Sequence, residues 1–130
     1  MIRWGDIIES WAQLYDKFRV NREYRTKSWS NDEDYKKEQN ALVKKIEELD
    51  AKVIPEIKKI INEAYPEVEF IAFDSRFHNA DEKRVGNVLI KGADSETKLL
   101  EIAAWFERNT AYTIAVFRIE DLPEDVRKKF

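Results

Sequence analysis

The sequence has 130 residues, enough for one domain with a modest core, and its 43% hydrophobic content is too high for a disordered chain. Charged residues reach 38%, a Lys- and Glu-rich balance compatible with a thermophilic source, where ion-pair networks cost less. A formal net charge of −3 argues against a protein devoted to nucleic acid, and the lack of cysteine excludes disulfides, thiolate catalysis and Cys-based zinc sites.

No apolar run nears the ~20 residues of a membrane span and the start has no signal-peptide core, so a cytoplasmic protein without membrane contact is expected. Trp4, Ile7, Ile8, Trp11, Leu14, Tyr15 and Phe18 recur at helical spacing and predict a first helix running into the low twenties. Arg19, Arg22, Tyr24, Arg25, Lys27 and Trp29 then interleave cations with aromatics, a mixture suited to phosphate contact and base stacking. Arg19, Arg22, Arg25, Lys27 and Trp29 are therefore candidate nucleic-acid contacts. The alternative is a solvated helix end whose cations favour the C-terminal dipole.

Ser28, Trp29, Ser30 and Asn31 read as a break and an N-cap ahead of the acidic Asp32, Glu33 and Asp34. Tyr35, Leu42, Ile46, Leu49, Val53, Ile57, Ile60 and Ala64 form a seam close to a heptad pattern. Pro55 removes a donor from it and predicts a kink or split, giving an outer helix to Val53 and an inner one from Pro55 to Ala64. The first helix folds back on this seam as a hairpin. Residues 1–53 are thus expected as a helical arm before an α+β core at 54–130, the whole forming one compact unit. Three of the four Trp fall in the first 29 residues, so the arm carries apolar surface for a second copy or another partner.

After Pro66 the period shortens to two, predicting strands at 68–73 and 85–91, the second ended by Gly92. Asp94 or Ser95 caps a third helix with Leu99, Leu100, Ile102, Ala103, Trp105 and Phe106 on its buried face, closed by Asn109. A third strand spans 111–119, and Leu122, Pro123, Glu124 and Asp125 open a last short helix. The class is α+β with a small mixed sheet.

One constellation carries a chemical argument. Phe73, Asp74, Ser75, Arg76, Phe77, His78 and Asn79 precede Val85, Gly86, Asn87, Val88, Leu89 and Ile90, and a later run from Ile114 reaches Glu120, Asp121, Leu122 and Pro123. This outline resembles minimal nucleotidyltransferases of the polymerase-beta type. In that family a strand ends in Phe-Gly-Ser-Arg, a second strand opens on Ser-Asp-x-Asp, and a third carries another Asp. The resemblance covers residues 54–130 and implies a small mixed sheet with flanking helices.

Nucleotidyl transfer needs carboxylates to hold divalent metals. The resemblance places its three at Gly86, Val88 and Ala115, and its glycine at Asp74. It therefore implies a catalytically inactive relative with no catalytic residue, metal or cofactor. Ser75 and Arg76 survive as possible anion or nucleotide contacts; otherwise Ser75 caps the turn and Arg76 pairs with a nearby carboxylate. Active minimal members are often paired with helical HEPN proteins in toxin–antitoxin modules. The expected role is thus protein contact, as a homo-oligomer or as the antitoxin-like partner of a helical HEPN protein. The alternative is a nucleic-acid-binding module using residues 19–29. His78, the one histidine, reads as an acid–base candidate or a surface turn residue, and Asp74, Asp81 and Glu82 as a displaced acidic site or a solvated ion-pair cluster.

Overall fold

The computed structural model describes residues 2–27 and 32–130. Two long helices, α1 (Trp4–Lys27) and α2 (Asp32–Ala64), lead into β1 (Glu69–Asp74), β2 (Arg84–Lys91), α3 (Glu96–Thr110), β3 (Thr113–Arg118) and the short α4 (Glu124–Arg127). The expected break and cap at residues 28–31, and Trp29 with them, lie outside the described residues.

Trp4, Ile8, Trp11 and Tyr15 follow one another at four, three and four residues, so they fall on one stripe of α1. Trp11 is fully buried, its ring centroid 5.7 Å from that of Phe73 on β1. On α2, Leu42, Ile46, Val53, Ile57 and Ile61 make the matching buried stripe. Ile61, rather than the Ile60 of the sequence pattern, reaches the deepest position, while Ile60 is partly buried beside it.

Of the kink or split expected at Pro55, the split does not occur: α2 is continuous through it. The carbonyl that Pro55 leaves without its donor belongs to Ala51, and both residues are exposed, so water can satisfy it. Val53 and Ile57, both fully buried, anchor the helix on either side. Burying such a side chain contributes about 1.5–3 kcal/mol, enough to offset a lost exposed hydrogen bond. The boundary drawn at 53/54 falls inside this helix, and Trp4, Ile8, Trp11 and Val53 share one core with Val88, Ile90, Ile102 and Phe106.

The sheet has the order β1-β2-β3, antiparallel between the first pair and parallel between the second. Phe73 pairs with Val88 and Val88 with Val116, which places all three on the face beneath the helices. Asp74, Asn87 and Ala115 form the neighbouring row and face the other way, as do Ala72, Leu89 and Phe117. α3 joins β2 to β3 and closes the first face, with Phe106 packed edge-on against Trp4 at 5.4 Å. Ser95 caps α3 by accepting from the Lys98 amide at 3.3 Å. The helix runs past Asn109 to Thr110 and ends on Ala111 in the left-handed conformation (φ 65°), while Asn109 bonds back to the Trp105 carbonyl at 2.8 Å. Leu100, expected on the buried face, is 72% exposed, because the i, i+3 and i+7 positions Leu99, Ile102 and Phe106 define that face instead.

Candidate functional site

The three positions where the resemblance puts carboxylates do not share a face. Gly86 stands beside Ile114 and Val88 beside Val116, both turned toward the core, whereas Ala115 lies in the outward row with Asn87. Val88 has 0% exposure. Gly86 answers to packing: a Cβ there would sit 2.5 Å from the Asp74 carbonyl oxygen and 2.7 Å from Phe73 Cε2. Among the described residues, no three His, Asp or Glu side chains gather where they could hold a metal ion.

The turn after β1 is built from Asp74, Ser75 and Arg76. Asp74, not Ser75, caps it, accepting from the Arg76 amide at 3.0 Å. The Arg76 guanidinium grips the same carboxylate through Nε at 3.0 and 3.1 Å and Nη2 at 2.6 Å. Burial pushes the Asp74 carboxyl up, but the bonds and charge of Arg76 outweigh it and hold the group below its ordinary range. Ser75 is 1% exposed, and its hydroxyl meets Tyr15 Oη at 2.7 Å. It therefore joins α1 to the sheet instead of facing outward.

Around Ser75 lies a polar cluster that the sequence did not single out. His78 Nδ1 lies 2.7 Å from the Ser75 carbonyl; a carbonyl only accepts, so Nδ1 carries the proton. The His78 ring stacks on Tyr15 with centroids 5.4 Å apart. Burial raises the Tyr15 phenol above its ordinary value; the Ser75 hydrogen bond opposes this and Asp50 reinforces it. Burial likewise raises Asp50, against the stabilising influence of Ser75 and the Trp11 indole. Yet Trp11 Nε1 and Asp50 Oδ1 are both buried without a hydrogen-bond partner, so the indole and carboxylate approach each other without completing a bond. Trp11, Tyr15, Asp50, Ser75 and His78 come from three separate stretches. Trp11 and Tyr15 carry only the signal of an apolar helix stripe, and Asp50 carries none.

The basic residues divide. Arg19 is held on its own helix by Asp16 at 2.7 Å and Glu23 at 3.0 Å. Arg22 is exposed one turn further along, and the side chains of Arg25 and Lys27 lie outside the described residues with Trp29. Glu82 pairs with Arg84, so the acidic loop at Asp81 and Glu82 is at least partly an ion-pair cluster.

Two depressions flank Arg76. One, about 830 Å³, opens between α1 and α2 and brings Arg19 and Arg22 to the same space as Arg76, although the sequence suggested two unrelated sites. The other, about 620 Å³, covers the outward face of the sheet between Leu89, Phe117, Val126 and Phe130. No protein-family model matches this chain, and neither does a curated protein or a solved structure.

Proposed function

We propose that the chain is a catalytically inactive, nucleotidyltransferase-like protein that acts by docking a helical protein partner on the outward face of its sheet. One observation carries this reading. The groove on that face is lined by aromatic and aliphatic side chains, and its single carboxylate, Asp74, is already held by Arg76. Phe117 and Phe130 are 47% and 58% exposed, more apolar area than a solvated face needs.

Strand residues Ala72, Leu89 and Phe117 form a floor, and Leu122, Val126 and Phe130 a wall. Such a groove suits the apolar stripe of an amphipathic helix. Arg127, Lys128 and Lys129 stand between Val126 and Phe130 along the chain, favouring a helix whose stripe is bordered by acidic residues. An antitoxin-like pairing with a helical HEPN protein is one form of this function.

The test places a photo-crosslinking phenylalanine at position 117 and, as a control, at the still more exposed position 100 on α3. On irradiation in the native host, position 117 is expected to capture one helical protein and position 100 none. A captured second copy of this chain would replace the helical partner with a homodimer. Absence of any adduct at 117, or metal-dependent nucleotidyl transfer by the purified chain, would overturn the proposal.

A further inference from the structure

The sheet has two edge strands, β1 and β3, and they are not alike. β1 is guarded: its pairing carries an irregularity between Phe70 and Ala72, and Glu69 and Asp74 put charges at its ends. β3 has neither protection. The irregularity in its pairing falls on β2, at Val85, and Ile114, Ala115, Val116 and Phe117 carry no charge. We infer that β3 pairs edge to edge with β3 of a second copy of this chain, antiparallel about a twofold axis through Val116, so that two sheets become one.

The backbone selects the register. The Thr113 amide donates to the Lys83 carbonyl at 2.8 Å, so Thr113 turns its polar groups toward β2. Strand groups alternate, so Ala115 and Phe117 do the same, while Ile114, Val116 and Arg118 point theirs away from β2. Among the described residues, no turn or loop group bonds to the amides of Ile114 or Val116. An axis through Val116 sets Val116 against its own copy and Ile114 against Arg118 of the second copy, about six backbone bonds in all. An axis through Ala115 would leave Arg118 unmatched and make about four. The Val116 axis also sets Ala115 beside Phe117 of the second copy in a close pair, a small side chain against a ring that is 47% exposed. Arg118 brings no like-charge repulsion, because Asp121 holds it at 2.7 Å.

A helix flank meets the same axis. The two long helices lie under the β1 side of the sheet, where Trp11 packs on Phe73. On α3, Trp105 turns to α2 and donates to the Ile60 carbonyl at 3.2 Å, and Lys98 turns to Glu67 beyond that helix. Leu100 lies about 140° around α3 from Trp105, on the flank toward the free edge of β3. It is 72% exposed there. α3 begins at Glu96, whose charge acts on Arg118 at the far end of β3, and runs back toward Thr113. A rise of about 1.5 Å per residue puts Leu100 about 6 Å along from Glu96, or roughly two strand residues back from Arg118. That is the level of Val116, so the axis selected by the backbone also brings Leu100 against its own copy. One twofold arrangement therefore gives both the open strand and the exposed leucine a partner. It leaves the outward groove uncovered, so it goes beyond the docking of a helical protein and is compatible with it.

Sedimentation equilibrium of the purified chain is the test, and a dimer at about 0.1 mM or below is expected. Leu100→Lys, at a surface position, should weaken it about tenfold or more. Phe130→Ala, in the sheet groove, should leave it unchanged. The chain has no cysteine, so Leu100→Cys offers a single thiol that should oxidise to a covalent dimer, while Val20→Cys on the arm should not. Circular dichroism confirms that each variant keeps its helices. With the photo-crosslinker, position 100 should capture a second copy of this chain and still no helical partner. The inference fails if the chain is a monomer at that concentration, if Leu100→Lys dimerises like the parent, or if association follows Phe130. A second copy captured at 117 and not at 100 would mean a dimer through the groove and would overturn the edge pairing. Failure of the dimer leaves the capture of a helical protein at 117 untouched, so the two readings fail separately.

Discussion

Val88 and Ala115 lie on adjacent strands yet look opposite ways, and the difference separates the two faces of the sheet. Beneath the helices, Phe73, Val88, Ile90 and Val116 meet Trp11, Val53, Ile57 and Phe106 in a core that excludes water. On the other side, Ala72, Asp74, Asn87, Ala115 and Phe117 are covered only in part, by the short segment ending at Phe130. An Asp-x-Asp pair on β2 at positions 86 and 88 would point into the first of these, where no metal or phosphate could reach it. Positions 86 and 88 therefore face away from position 115, because a strand reverses its side chains at each residue.

The largest effect expected from this contrast is Val88→Asp, which would bury an unpaired charge and cost on the order of 4 kcal/mol or prevent folding. Ala115→Asp, on the outward face, should cost less than about 1 kcal/mol. Urea unfolding of the two variants checks it, and equal costs would mean that the sheet does not separate a dry face from a wet one.

Next in size is Gly86→Ala. The atom that a new Cβ would meet at 2.5 Å is the backbone oxygen of Asp74, which cannot swing aside as a side chain end can. Strain of about 1–3 kcal/mol is expected. A neutral result would show that the close crossing of β1 and β2 does not require a glycine here.

At the margin of the covered face, Ser75→Ala tests the joint between α1 and the sheet. Removing the hydroxyl leaves Tyr15 Oη, partly buried, without the partner it now has at 2.7 Å. A loss of about 1–2 kcal/mol is expected, again from urea midpoints. The His78 contact goes to the Ser75 carbonyl and so survives the substitution. No change in stability would show that Tyr15 finds water as readily as Ser75.

Much of this architecture was legible because its signals are local. The 3.6-residue stripe of Trp4, Ile8 and Trp11, the β-branched run of β3 and the cap at Ser95 each lie within a single element. What was not legible depends on which faces meet. Nothing local distinguishes Leu100, exposed, from Leu99 beside it, and Pro55 reads as a breaker until Val53 and Ile57 are seen locked into the core. The candidate sites follow the same rule. Ser75 and Arg76 are neighbours in sequence, yet one turns inward to Tyr15 and the other outward to the crevice it shares with Arg19 and Arg22. Long-range packing sets that split.

The smallest expected effect concerns Asp50, where the covered face runs out into the helical arm. Burial raises its carboxyl above the ordinary value of 3.8, and neither the Ser75 hydroxyl nor the Trp11 indole cancels that rise. Between the unfolded and the raised folded value the native protein holds more of this proton than the unfolded chain does. The associated stability is therefore complete below the unfolded value and is lost as pH rises through the folded one. Asp74 works in the opposite sense, its contribution being lost as pH falls, but it is common to both proteins and cancels in a difference. Asp50→Asn keeps the shape without the charge, so it should raise stability at neutral pH by roughly half a kcal/mol, half of the side chain's surroundings being solvated. That gain should shrink as pH falls through the raised folded value, where the native carboxyl is protonated in its turn. Paired urea titrations across that range measure it. If Asp50→Asn is instead less stable at neutral pH, the carboxylate is charged and well served by Trp11 and Ser75. The margin of the covered face would then be closed by a completed polar network.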